Sequence, residues 1–198
     1  TIELEEVGTP HQLKWNKCKL ETISFGHGIT TTPLQATALY GAISNGGKLI
    51  IPSLIKDRKN TKSTKIISTE TSNKLSKILR KVVTSKNGTA SLADTNGYYV
   101  GGKTGTAESY GKKTKRINTF ISIFPTHKPN YTLFVMLENP KINKDLIYNY
   151  RGVKTKAPYN TSGWNAVYLA GKIIEKIGPI LAINNKEFTD QYVVEKFN

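Results

Sequence analysis

Val100-Gly101-Gly102-Lys103-Thr104-Gly105-Thr106-Ala107 is the stretch of this 198-residue chain whose reading decides its fold. It brings glycines, one cation and two hydroxyl side chains into a short run, and two arrangements compete for it. The first is a phosphate loop, because Gly97 to Thr104 matches GxxxxGK followed by Thr letter for letter. Such a loop needs a buried strand ending at its first glycine and a helix starting at the Lys-Thr pair. Residues 90–96 are polar without alternation, and residues 105–115 include Gly111 and almost no apolar side chains. A helix begun there would have no face to bury, and Tyr98-Tyr99-Val100 favours extended backbone over a tight cradle. The phosphate loop fails. The second arrangement is an edge strand that carries an active-site cation. Gly101 and Gly102 clear side chains where a backbone or ligand comes close. Lys103 brings positive charge, Thr104 a hydroxyl, Gly105 clearance and Thr106 a backbone N–H. A strand of this kind accepts an extended peptide by strand addition, with a carboxylate held by Lys103 and Thr104. A plain glycine-rich strand with a surface lysine fits the same residues, so the neighbouring sequence has to decide.

Upstream, residues 1–25 read as an irregular lead-in. Thr32 then serves as an N-cap with Pro33 at the first helical position, and Leu34, Ala38, Leu39 and Ile43 fall on one helical face. Asn45-Gly46-Gly47 stops that helix, and residues 48–55 form a short strand or arm that Pro52 confines to an edge. A second helix is expected from Thr69 to Val83, with Leu75, Ile78, Leu79, Val82 and Val83 as its apolar stripe. After a polar connection over residues 84–97, Tyr98-Tyr99-Val100 opens a β-like run. Two clearer strands, Thr119–Phe124 and Tyr131–Glu138, are joined by Pro125, Pro129 and Asn130. A long polar stretch, 139–162, leads to a last helix from Trp164 to Ile177, which Gly178-Pro179 is expected to end. Consecutive strands without crossover helices, bracketed by helices, define an α+β fold with an antiparallel sheet flanked by helices.

Composition narrows the function. The chain carries 29 Lys and Arg against 14 Asp and Glu, a formal charge of +15, which favours polyanions in general. The lysines are scattered, however, and the densest run, Lys112, Lys113, Lys115 and Arg116, has no interleaved aromatics. It reads as a solvated hairpin tip, and nucleic acid is not expected as a partner. One cysteine, Cys18, excludes an internal disulfide and a multi-thiolate zinc site. The three histidines, His11, His27 and His127, show no ligand spacing, so neither a metal nor a cofactor is expected. His127 reads as a loop residue, and His27, between Gly26 and Gly28, as a buried structural histidine.

With these elements in order, Gly101-Gly102-Lys103-Thr104-Gly105-Thr106-Ala107 resembles the KTG box of penicillin-binding proteins, whose signature set is SxxK, SxN and KTG. Thr22-Ile23-Ser24-Phe25-Gly26-His27-Gly28-Ile29, followed by Thr32-Pro33-Leu34-Gln35, is similar to the segment that precedes a helix in the class B, monofunctional members. The succession of that helix, Asn45-Gly46-Gly47, an arm, a second helix, Gly88-Thr89-Ala90 and the KTG strand also fits, so the resemblance covers roughly residues 15–140. It implies that residues 1–198 are the C-terminal portion of a peptidoglycan D,D-transpeptidase domain of the division or elongation type. Members of that family attack the D-Ala-D-Ala bond of a stem peptide with a serine, pass the acyl group to a neighbouring amine, and are trapped by β-lactams at the same serine.

Carried over by motif, Lys103 contributes positive potential and supports proton transfer, and Thr104 holds the substrate or penicillin carboxylate. Thr106 supplies one oxyanion-hole N–H, while Gly102 and Gly105 keep the binding strand open. His27 is assigned architecture. The resemblance departs at one point: SxxK and SxN lie before the Phe-Gly-His-Gly segment in the family, ahead of Thr1. Ser53-Leu54-Ile55-Lys56, Ser109-Tyr110-Gly111-Lys112 and Ser85-Lys86-Asn87 match those patterns only by coincidence of letters, so the nucleophile is expected in a preceding segment. That segment would also carry a membrane anchor, placing the protein on the periplasmic face of the inner membrane beside wall-synthesis or divisome proteins. The alternatives are an inactive gene remnant, a non-catalytic module that binds wall or division proteins, and, more distantly, a serine β-lactamase.

Overall fold

The structure, a computed structural model, describes residues 15, 17–55, 63–109 and 115–184. Its centre is an antiparallel sheet of three strands in the order β3-β4-β5, where β3 is Gly101–Ser109, β4 is Lys115–Phe124 and β5 is Tyr131–Glu138. Gly101 lies opposite Ile123, Thr106 opposite Asn118, and Ile117 opposite Glu138. Asn118 and residues 120–124 of β4 are buried and Thr119 is half-buried, without the alternation of a strand wetted on one side. Helices therefore cover both faces. Phe120, Phe124 and Val135 point to the core shared with α4, Ala166–Asn184, through Val167, Ala170 and Ile174. The opposite face receives α2, Pro33–Ser44, and α3, Thr69–Thr84.

Local chemistry explains most helix boundaries. Thr32 and Gln35 form a reciprocal capping box: the Gln35 N–H donates to Thr32 Oγ1 at 3.1 Å and the Thr32 N–H to Gln35 Oε1 at 3.0 Å. Asn45 caps the end of α2, and Gly46 and Gly47 both have positive φ. The expected apolar face of α2 is only partly inside: Ala42 is buried, while Leu39 is exposed. Ser68 caps α3 by accepting the Thr71 N–H at 3.0 Å.

The buried stripe of α3 is rotated from the expected one. Ile78 is 54% exposed, and Ser72, Ser76, Leu79 and Val83 are inside. The small serines suit the close α2 contact, and their hydroxyls are satisfied by carbonyl oxygens, Ser72 Oγ donating to Ile43 O and Ser76 Oγ to Ser72 O.

Other boundaries differ too. The lead-in contains a six-residue helix, α1, Lys19–Ser24, which buries no residue and so left no apolar period to read. The arm, β1, Lys48–Ile50, is paired with an unexpected short strand, β2, Ser63–Lys65. Tyr98 and Tyr99 form a turn rather than the start of a strand, Tyr98 buried and Tyr99 left-handed at φ 46°. The 139–162 stretch folds a hairpin, β6, Tyr148–Tyr150, and β7, Val153–Thr155. Gly178-Pro179 does not end α4, which runs on to Asn184. Pro179 lacks the N–H that would reach Glu175 O and crowds that carbonyl, but within the next turn Leu181 and Ala182 return to the core.

Candidate functional site

β3 is the edge of the central sheet: among the described residues its only strand partner is β4. Two glycines hold this edge against both neighbouring layers. A Cβ on Gly101 would sit 2.9 Å from Arg80 N and 3.0 Å from Leu79 C, so α3 packs directly on the strand there. A Cβ on Gly102 would sit 2.6 Å from Phe120 Cζ on the other side. Side chains alternate along a strand, so Lys103 and Gly105 share the α3 face of Gly101, while Thr104 and Thr106 share the face of Gly102. The Lys-Thr pair thus lies mid-strand, with no helix starting at it, which removes the phosphate loop.

Lys103 is exposed, and its side chain returns to the strand, Nζ donating to Thr104 O at 2.9 Å. The expected carboxylate holders, Lys103 and Thr104, therefore start on opposite faces, and the length of the lysine brings its ammonium back to the strand. Thr104 is half-buried, with its Oγ1 3.0 Å from Thr89 Oγ1. Two hydroxyls at that separation use one proton between them and leave the other to donate outward. Thr106 Oγ1 lies 3.0 Å from the buried Ser162 Oγ. Because Ser162 donates its own proton to Gly105 O, Thr106 is the donor of the pair.

These hydroxyls open onto a cleft of about 420 Å³ whose walls are Lys86 to Thr89, Tyr150, and Thr161 to Trp164. Glycine shapes both walls. A Cβ on Gly88 would lie 2.2 Å from Val82 O at the end of α3, and one on Gly163 would lie 2.8 Å from Thr89 O. Tyr150 is tilted against Trp164 at 4.9 Å between ring centres, and Arg151 lies 5.3 Å over the Tyr150 ring. The hydrogen bond from Arg151 holds the Tyr150 hydroxyl below its ordinary pKa. An outward-facing hydroxyl pair in a cleft that Lys86 also lines suits an anionic group such as a carboxylate. Among the described residues no cluster of His, Cys, Asp and Glu could hold a metal ion.

Gly102 to Thr106 come together on one strand as expected, and Lys86 and Asn87, whose letters alone resembled SxN, line the same cleft. The sequence reading gave no role to Thr89, Tyr150, Ser162 or Trp164. Thr89 stood in the Gly88-Thr89-Ala90 element, but nothing in the letters pairs it with Thr104. His27 is exposed rather than buried, stacked on Phe25 at 6.4 Å, with Gly26 and Gly28 at positive φ as the tight turn required. His127, exposed in its loop, meets Tyr99 edge-on at 4.9 Å. Of the basic run, Lys115 is exposed and Arg116 half-buried. Lys115 bonds Glu138, and Arg116, directly opposite Glu108 in the β3–β4 register, bonds both Glu108 and Asn160 O. Lys112 and Lys113 lie outside the described residues, as do His11, Lys56 and residues 185–198.

A helix-covered antiparallel sheet with an open, glycine-cleared edge and a hydroxyl-lined cleft beside it defines the class: an α+β domain with its candidate site at the edge strand β3. The family profile described as the penicillin binding protein transpeptidase domain matches residues 2–160, and the chain belongs to that family. It is 32% identical over 199 residues to the probable peptidoglycan D,D-transpeptidase FtsI of Caulobacter vibrioides, covering 93% of this chain and 32% of that protein. Stage V sporulation protein D of Bacillus subtilis is 35% identical over 154 residues, covering 70% of this chain and 22% of its own. The fold matches the transpeptidase domain of penicillin-binding protein 3 from Burkholderia pseudomallei with a TM-score of 0.71 at 21% identity, over 91% of this chain and 53% of that one. The chain thus spans about a third or less of the length of these two sequence relatives. No helix among the described residues is long and apolar enough to cross a membrane.

Proposed function

We propose that this chain is the part of a peptidoglycan D,D-transpeptidase that receives the stem peptide, with the nucleophilic serine and its base supplied from outside these residues. The observation that carries this reading is the open edge of β3, where the Thr89–Thr104 hydroxyl pair borders a cleft and the Lys103 ammonium returns to the strand at Thr104 O. A D-Ala-D-Ala terminus would lie along β3 as an added strand, with its carboxylate at the Thr104 hydroxyl and the Lys103 ammonium. The serine oxygen would attack the penultimate D-Ala carbonyl carbon. As the C–N bond breaks, the terminal D-Ala leaves with the proton taken from the serine, and the ester then passes to an acceptor amine. Lys103 would supply positive potential for this proton traffic, and the Thr106 N–H would meet the developing oxyanion. Gly102 and Gly105 would leave the strand clear for the incoming backbone. β-Lactams would acylate the same serine. The setting consistent with this chemistry is the periplasmic face of the inner membrane, among wall-synthesis or divisome proteins.

The test is Lys103→Ala in the natively produced protein. Acylation by penicillin should slow by about two to three orders of magnitude, the loss expected when one electrostatic contact made in the transition state is removed. Acylation at the unsubstituted rate would take Lys103 out of the mechanism. An unsubstituted protein that binds penicillin reversibly without an adduct would instead be a non-catalytic binding module.

A further inference from the structure

The β6–β7 hairpin turns through Arg151 and Gly152, both at positive φ, 54° and 83°. A two-residue turn with both central residues left-handed favours Asn, Asp or Gly at its first position. Arginine there breaks that preference, and a broken local preference points to a task for the side chain. The Arg151 guanidinium crosses to the far wall of the cleft. Its Nη2 donates to Ser85 O at 2.7 Å and to Gly88 O at 3.1 Å. These carbonyls bracket the chain that leaves α3, and the next residue, Thr89, carries the hydroxyl 3.0 Å from Thr104. The neighbouring Tyr150 holds the other wall through Trp164, in the same short turn as Ser162, which donates to Gly105 O. One hairpin thus ties both walls of the cleft to β3.

We propose that Arg151 is a positioning residue that latches the 85–89 wall and, through Thr89, fixes where the Thr104 hydroxyl meets a substrate carboxylate. The effect on substrate rests on the transpeptidase reading above; the latch itself does not.

Arg151→Asn in the natively produced protein tests it, because asparagine tolerates the left-handed turn while removing the guanidinium. Penicillin binding, measured as the dissociation constant of the complex formed before acylation, should weaken by about tenfold, because the Thr104 hydroxyl that meets the carboxylate is no longer fixed in place. The rate constant for acylation of the bound drug should stay unchanged, and Arg151→Lys should recover part of the binding. Unchanged binding, or a loss in the acylation step, would overturn the latch. If the unsubstituted protein forms no adduct, the transpeptidase reading fails, and amide hydrogen exchange over residues 86–89 still reads the latch. Arg151→Asn should then speed that exchange, and equal exchange in the two proteins would overturn it.

Discussion

Gly101→Ala puts a methyl group between two layers that touch through backbone. The new Cβ would lie 2.4 Å from Thr126 Cγ2, 2.9 Å from Arg80 N and 3.0 Å from Leu79 C. The Thr126 methyl can swing away, but the two α3 backbone atoms cannot, so the helix has to lift from β3. Overpacking a tight interface costs about 1–3 kcal/mol, and rigid neighbours place this substitution in the upper half of that range. At roughly 2–4 °C per kcal/mol for a domain of this size, the melting temperature should fall by about 4–12 °C. Gly105→Ala, four residues along the same face, is the control. Its Cβ would meet Thr119 Oγ1 at 2.4 Å, but the next atom is 3.8 Å away. Rotating Thr119 relieves that contact and gives up one 3.3 Å hydrogen bond to Gly105 O. Such a bond contributes about 0.5–1.5 kcal/mol, partly offset by the ~0.4–1 kcal/mol that alanine gains over glycine in the unfolded chain. Thermal unfolding of the whole protein, both variants side by side, is the assay. Gly101→Ala melting at or above Gly105→Ala would refute the claim that α3 seats β3 through that glycine.

Two further outcomes are expected. Asn160 donates to Pro140 O at 2.6 Å and accepts from Asn118 Nδ2 and Asn165 Nδ2, so Asn160→Ala should leave the buried Asn118 amide without this acceptor. A loss of about 1–3 kcal/mol in urea unfolding is expected, with Asn160→Asp, which keeps the acceptor, losing less. The ion pair with Lys115 holds the Glu138 carboxyl below its usual 4.5. A depressed folded-state pKa stabilises the fold above the ordinary value, and that contribution disappears as pH falls through the lowered one. Lys115→Met should therefore raise the Glu138 midpoint in an NMR titration, and high salt should raise it in the unsubstituted protein.

What could be read from the letters followed the range of the forces involved. The Thr32-Pro33-Leu34-Gln35 start of α2 was legible because a capping box is a contact within four residues. The strands β4 and β5 were legible because apolar side chains crowd them. The end of α4 was misread because Pro179 acts locally, whereas Leu181 and Ala182 hold the helix through tertiary packing that no nearby residue announces. Ser72 and Ser76 were hidden for a similar reason: a polar residue reads as surface until the carbonyl that satisfies it is known. At the cleft, β3 was legible as a motif of seven residues. Its walls were not, since Thr89 reaches Thr104 across 15 positions and Ser162 reaches Thr106 across 56.

Intact mass spectrometry of the natively produced protein after incubation with penicillin tests the central claim most directly. The account predicts one covalent drug adduct per chain, on a protein heavier than the 22.0 kDa of these 198 residues. A product of that mass bearing no adduct would contradict it, leaving a member of the family that keeps the binding strand without the chemistry.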